Sequence, residues 1–301
     1  MYSNCKLCPR ECGVNRKKGY YGFCGLDDKI KIARADLHFW EEPCISGENG
    51  SGTIFFSGCN LKCVFCQNYD ISTLNKGYNI SCEELAEIFI KLQDKGANNV
   101  NLVTPTHFTY DIIKALDIAK NNGLNIPVVY NTGGYEKIDT LKLLEGYIDV
   151  YIPDMKYYND KFAMEYSSAA DYFNISSMAV NEMYRQVGNP VFDDNGIMKK
   201  GVIIRHLMLP GLLFDSKKII DYVYEKYNDS VYLSLMSQYT PMPQCKTIKR
   251  LNNPLSKKHY DTMVNYCIEK GMENVFIQDE GANDECFIPE FYYDKNENRD
   301  F

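Results

Sequence analysis

The sequence predicts an α/β fold of parallel strands, an open sheet or a partial barrel, preceded by a small Cys-rich metal-binding segment. Two observations predict the parallel strands. From Thr53 onward, short apolar runs alternate with amphipathic segments of helical spacing. The turns between them are short, so successive strands should lie parallel, joined by right-handed crossovers. A third observation sets off the front of the chain. Residues 1–50 are rich in Cys, Gly and charge and carry only short possible strands, at 29–35 and 37–40. The expected organisation is a Cys-rich segment over 1–50, the barrel over 51–290 and a polar tail over 291–301.

Each element has its own signal. Residues 53–57, TIFFS, form a short apolar strand. Residues 81–96 open with Ser81 and Cys82 as start candidates, place Leu85, Ile88, Phe89 and Leu92 on one helical face, and close at Gly96. A strand at 98–105 and a helix at 110–123 follow, then a strand and turn at 126–134 and a helix at 137–146. The strand at 148–156 leads to helical spacing at 169–188. The strands at 201–211 and 230–239 are each followed by a helix, at 216–227 and 256–271, and 274–279 is a possible last strand. Six or seven strand–helix units fall short of a full eight-fold barrel, and a ligand site belongs at the C-terminal strand ends. Those ends carry polar groups: VTPTHF (103–108), YNTGGYE (130–136), PDMKY (153–157), RHLMLPG (205–211) and MSQYTP (236–241).

Composition narrows the function. The net charge of −7 argues against nucleic acid as the main partner. The longest apolar stretch is broken by Arg205, His206 and Pro210, so no membrane span is expected. The first residues are polar and lack the apolar core of a secretory signal, which predicts a cytoplasmic address. Twelve cysteines are many for a cytoplasmic chain of 301 residues. Seven of them cluster, and clustered thiols in a reducing compartment read as metal ligands. The scattered Cys44, Cys82, Cys245, Cys267 and Cys286 are expected to be buried apolar residues.

The decisive cluster is SGCNLKCVFCQNYDIS, at 57–72, directly after the first barrel strand. Cys59, Cys63 and Cys66 are spaced C-x3-C-x2-C. Three thiolates are one short of a closed tetrahedral set. A [4Fe–4S] cluster normally takes four thiolates, so three would leave one iron open to another ligand. With an aromatic residue, Phe65, just before the last Cys, this motif resembles that of radical S-adenosylmethionine enzymes, and the resemblance implies an α/β fold that is a partial (β/α)6 parallel barrel. The resemblance implies that the open iron binds the amino and carboxylate groups of S-adenosylmethionine. One electron from the cluster would then break the sulfonium bond and release a 5′-deoxyadenosyl radical that abstracts a hydrogen atom.

Within that family the chain resembles the activating enzymes of glycyl radical enzymes, and more narrowly their homologues with an N-terminal segment like CKLCPRECGVNRKKGYYGFCG. VTPTHF, DMKY, LMLPG and IQDEG (277–281) carry the narrow likeness along nearly the whole chain. The resemblance implies that Asp154 and Lys156 contact the cofactor's ribose and methionyl groups; Asp154 also reads as a helix N-cap. It implies that Asn131 and Thr132 stand in a turn that helps bind the cofactor carboxylate and a monovalent cation. Asn131 replaces the aspartate of that turn, which puts the cation in question. Arg205 stands where a carboxylate-binding arginine is found, though a structural salt bridge fits it too. Two departures matter. TPTH replaces a Gly-Gly-Glu motif, leaving the cofactor's ammonium to backbone carbonyls or the Thr104 and Thr106 hydroxyls. Gln238 or Tyr239 stands near a histidine of the activating enzymes. His107 reads either as a donor to ligand or as a structural hydrogen-bonder.

Cys5, Cys8, Cys12 and Cys24, spaced C-x2-C-x3-C-x11-C, form a second and complete set, suited to zinc or an auxiliary iron–sulfur cluster. The basic run Arg16, Lys17, Lys18 reads as a solvated loop. The family likeness implies a glycyl radical enzyme or another protein as substrate, and an electron donor such as flavodoxin or ferredoxin. The short strand-end connections agree, since a macromolecular substrate would supply a cover that no long insertion after the sixth strand provides; the alternatives are another peptide or a small molecule, the latter under a lid formed by residues 1–50, and a non-catalytic iron–sulfur or zinc protein.

Overall fold

Apolar runs of period two become strands and amphipathic runs become helices. The computed structural model, which describes residues 2–278 and 289–295, joins the strands into one ten-stranded sheet. The strands are β1 (Ile30–His38), β2 (Ser51–Phe56), β3 (Tyr78–Ile80), β4 (Val100–Val103), β5 (Val128–Thr132), β6 (Val150–Pro153), β7 (Val191–Phe192), β8 (Met198–Leu207), β9 (Tyr232–Met236) and β10 (Val275–Ile277). Strands β2, β4, β5, β6, β8 and β9 run parallel in that order, and β10 adds a seventh beside β9. The sheet stays open, with β3 and β10 at its ends. This is the partial barrel, one of the two forms the alternation allows.

The helices are α1 (Pro43–Ser46), α2 (Tyr69–Ser72), α3 (Cys82–Asp94), α4 (Thr109–Asn121), α5 (Ile138–Leu143), α6 (Asp160–Ser167), α7 (Tyr172–Val187), α8 (Leu213–Tyr227) and α9 (Lys257–Glu269). Helix α3 starts at Ser81 with a reciprocal capping box to Glu84, a motif whose cap contributes about 1 kcal/mol. Its buried face, Leu85, Ile88, Phe89 and Leu92, packs on the outer side of the sheet. On the inner side, Val129, Val150, Ile152 and Ile203 close around Cys44 and Ile45 of α1. The short helix thus plugs the barrel from within.

Several expectations change. The two possible strands at 29–35 and 37–40 are one strand, β1, antiparallel to β2 and irregular between Ile32 and Arg34. Arg16 is not solvated but fully buried. Its guanidinium donates to the Asp27 carbonyl and, at 2.6 Å, to the His107 carbonyl, and it lies 4.6 Å from the Tyr2 ring centroid. Burial of the charge is offset by these carbonyl bonds, by the Tyr2 ring and by the Cys5 sulfur at 3.9 Å. Nor are all strand-end connections short. Residues 237–256 link β9 to α9, and Cys245 within them donates to the Val64 carbonyl of the tri-cysteine loop. Cys44, Cys245 and Cys267 are buried and Cys82 is half-buried. Cys286, residues 279–281 of IQDEG and residues 296–301 of the tail lie outside the described residues.

Candidate functional site

The tri-cysteine loop leaves β2 through Gly58, at φ +81°. Glycine is required there by space as well as conformation. An added Cβ would meet Leu26 at 2.5 Å and the Cys24 carbonyl at 3.0 Å. The ring of His107 sits 2.6 Å from the Ser57 carbonyl, and burial first, then Arg16, pushes its pKa down to about 3. His107 is therefore a neutral donor that fixes the start of the loop, the structural one of its two readings. Further on, Lys62 and Val64 donate their backbone N–H groups to Ser167 and Tyr166 at the end of α6. The Ser167 hydroxyl lies 2.9 Å from the Cys63 sulfur. Phe65 is buried, with its ring centroid 6.2 Å from that of Tyr239.

Cys59, Cys63 and Cys66 line the top of a cavity of about 400 Å³. Burial pushes the Cys59 thiol up to about 12, with the neighbouring Cys63 adding to it. Burial likewise lifts Cys63, to about 11, against the pull of Lys156. Such thiols become thiolates when a cationic metal centre compensates the charge, and three of them suit a cluster with one open iron. Among the described residues no three or more His, Cys, Asp or Glu side chains are gathered to hold a single ion. The thiolates of a cluster bind separate irons and stand wider than the ligands of one ion.

The same cavity brings together most of the barrel residues singled out in the sequence, but not Thr106, whose hydroxyl goes to Glu136, nor His107. Phe65, Thr104, Asn131, Thr132, Asp154, Lys156, Arg205 and Gln238 all line it. Thr104 holds φ at +59°, rare for a β-branched residue, and its N–H donates to the Asn131 carbonyl at 2.8 Å. Lys156 donates to Asp154. Burial opposes the lysine's charge, but Asp154 and Cys63 outweigh it and raise its pKa well above the ordinary value. The Tyr172 hydroxyl bridges the Gly133 carbonyl at 2.8 Å and the Asp154 carbonyl at 2.9 Å, tying the β5 and β6 turns together. Asp154 does not cap a helix; α6 is capped by Asn159. Arg205 faces two carboxylates supplied by residues ahead of the barrel. Its Nε and Nη2 fork onto Glu42 at 2.8 and 2.6 Å, and Nη2 also meets Glu41.

Sequence reasoning passed over Glu41, Glu42 and Glu136. Glu136 is 2% exposed, and Thr106, Thr132 and Tyr130 all donate to it. Burial pushes its pKa up to about 7, against those donors. The only sequence signal was a carboxylate one step beyond YNTGGY, which says nothing of burial.

The N-terminal cysteines pack beside this site. Cys24 lies within electrostatic reach of Cys5, Cys8 and Cys12, and Cys8 of Cys12, and burial pushes Cys8 up to about 12. Arg10 donates to the Asn60 carbonyl at 2.9 Å, and Thr140 to the Leu7 carbonyl at 2.7 Å. With the Cys24 carbonyl against Gly58, the segment docks where the tri-cysteine loop begins.

Comparison with known proteins agrees with this geometry. The profile of the Radical SAM superfamily matches residues 53–223. Uncharacterized protein MJ0674 of Methanocaldococcus jannaschii is 33% identical over 283 residues, covering 91% of this chain and 74% of that protein. A pyruvate formate-lyase-activating enzyme of Clostridium pasteurianum is 26% identical over 127 residues, 38% of this chain and 50% of the enzyme. Streptococcus suis SuiB, solved with its precursor peptide SuiA, shares the fold with a TM-score of 0.52 at 16% identity, over 74% of this chain and 47% of SuiB. The chain thus spans about half the length of SuiB.

Proposed function

Because the chain belongs to the radical S-adenosylmethionine superfamily, we propose that it abstracts a hydrogen atom from a glycine in a loop of a partner protein, as a glycyl-radical-activating enzyme. The family's cofactors are a [4Fe–4S] cluster and S-adenosylmethionine, which together supply, when bound, a 5′-deoxyadenosyl radical. Cys59, Cys63 and Cys66 would hold the cluster. Asp154 and Lys156, fixed by Tyr172, would orient the nucleoside and methionyl groups. Buried Phe65 and Tyr239 keep water from one side of the loop.

The observation that carries the substrate class is the size of the cavity. About 400 Å³ is near the lower end for one cofactor-sized ligand. Beside the cofactor a glycine asks for the least room, since it has no side chain to accommodate. The likeness to pyruvate formate-lyase-activating enzyme supports the same direction, while the peptide bound by SuiB supports a peptide or protein substrate in general. A second reading, action on another peptide or a small molecule, is favoured by residues 237–256, whose packing on the loop offers a cover of the chain's own. Reduced enzyme and cofactor, incubated with candidate glycyl radical enzymes, should give a glycyl doublet by electron paramagnetic resonance. Its absence with every candidate, together with turnover of a small molecule, would select the second reading.

Two further assignments belong to this proposal. Cys5, Cys8, Cys12 and Cys24 would hold a second metal centre that staples a segment too small to bury a core of its own; among the described residues they are not gathered for a single ion such as zinc, so an auxiliary iron–sulfur cluster is the better fit. The reducing electron comes from a small carrier such as flavodoxin or ferredoxin.

A further inference from the structure

A metal-bound thiolate carries no hydrogen, so toward its neighbours its sulfur can only accept. The three sulfurs of the loop differ in what they are offered. Cys59 faces the Leu61 N–H at 3.4 Å, and Cys66 the Ser72 hydroxyl at 3.3 Å. Cys63 has the shortest contact of the three, the Ser167 hydroxyl at 2.9 Å.

Helix α6 sets Ser167 in that place. The Lys62 N–H donates to the Ser167 carbonyl at 3.1 Å and the Val64 N–H to the Tyr166 carbonyl at 2.9 Å, so the end of the helix grips the loop on both sides of Cys63. Behind Ser167 stands Tyr157, with its hydroxyl 2.7 Å from the serine's. Both residues are fully buried, and among the described residues the Tyr157 hydroxyl has no other hydrogen-bond partner. A serine hydroxyl has one hydrogen. With that hydrogen on the sulfur, the Ser167 oxygen can only accept, and Tyr157 donates to it. The chain therefore runs one way, from the Tyr157 O–H to the Ser167 O–H to the Cys63 sulfur. Each bond polarises the next, and burial strengthens both.

We propose that Ser167 and Tyr157 are positioning residues that act through Cys63 to raise the reduction potential of the cluster. The reduced cluster carries one more negative charge than the oxidised one, and donors aimed at its sulfurs stabilise that charge. The inference rests on the reading of Cys59, Cys63 and Cys66 as the ligands of that cluster.

The test is a redox titration of the anaerobically reconstituted enzyme, followed by electron paramagnetic resonance of the reduced cluster. The signal followed is the one that S-adenosylmethionine alters, which leaves out any centre at the N-terminal cysteines. Ser167→Ala should favour the oxidised cluster about tenfold, a fall of about 59 mV for one electron. This is part of the about 10- to 100-fold worth of a hydrogen bond to a charged group, because the bond is present in both redox states. Tyr157→Phe keeps the buried ring and the Ser167 bond, and should lower the potential by less. Iron per chain should match the native protein in both. If Ser167→Ala does not fold, Tyr157→Phe carries the test. An unchanged or raised potential in either variant would overturn the relay while leaving the cluster site in place. A native protein with no signal that S-adenosylmethionine alters would overturn the site itself, and the relay with it.

Discussion

Gly134 is the point where the two ligand-bearing turns touch most closely. It holds φ at +76°, and a Cβ there would stand 2.1 Å from the Asp154 carbonyl oxygen. Ordinary contact begins near 3.4 Å, so Gly134→Ala must part the β5 and β6 turns by the difference, about 1.3 Å. The Tyr172 hydroxyl, 3.2 Å from that Cβ, cannot yield without dropping its bonds to Gly133 and Asp154. The left-handed conformation alone costs an L-residue about 1–2 kcal/mol. At about 2–4 °C per kcal/mol the variant should melt measurably lower yet stay folded. Its main effect should fall on chemistry. A misplacement of about 1 Å among positioning groups can lower a rate by about 100-fold. The cysteine loop hangs chiefly from β2 and α6, with Asn60 donating to the Tyr135 carbonyl at 2.6 Å as a tie to the β5 turn, so iron content should stay near native. The assay is iron per chain, melting temperature and 5′-deoxyadenosine formation, measured on one preparation. Near-native cleavage, or loss of iron together with activity, would refute the claim that these turns position the cofactor separately from the cluster.

Three further outcomes are expected. Asp154→Ala should weaken S-adenosylmethionine binding by about 2–5 kcal/mol with iron content unchanged, by calorimetry and iron assay; unchanged binding would leave Asp154 only its pairing with Lys156. Replacing Cys5 and Cys8 together should lower metal content while sparing the radical cluster and cofactor cleavage; loss of all iron and all cleavage would rule out two separate sites. Glu136, raised from 4.5 to about 7 by burial, contributes stability that is full below its unfolded pKa and is lost as pH rises through about 7. The full window corresponds to about 3 kcal/mol, so denaturation at pH 5 and pH 8 should show a slope that Glu136→Gln flattens.

The barrel was legible because strand and helix periodicities are local, and the tri-cysteine motif because metal chemistry constrains spacing. What stayed hidden depends on partners remote in sequence. Arg16 is buried only because the Asp27 and His107 carbonyls converge on it. Glu41 and Glu42 enter the cavity only because β1 joins the sheet and α1 plugs the barrel. The cover formed by residues 237–256 has no periodicity to reveal it. Glu136 shows no sign in the sequence that Thr106, from the preceding strand end, will reach it.

The central claim is that Cys59, Cys63 and Cys66 hold a cluster that opens S-adenosylmethionine. The most direct measurement is 5′-deoxyadenosine formation by the anaerobically reconstituted, reduced protein and its Cys63→Ala variant. The account predicts oxygen-sensitive formation by the native protein and none by the variant. Retained cleavage in Cys63→Ala, or none in a native protein loaded with iron, would contradict it.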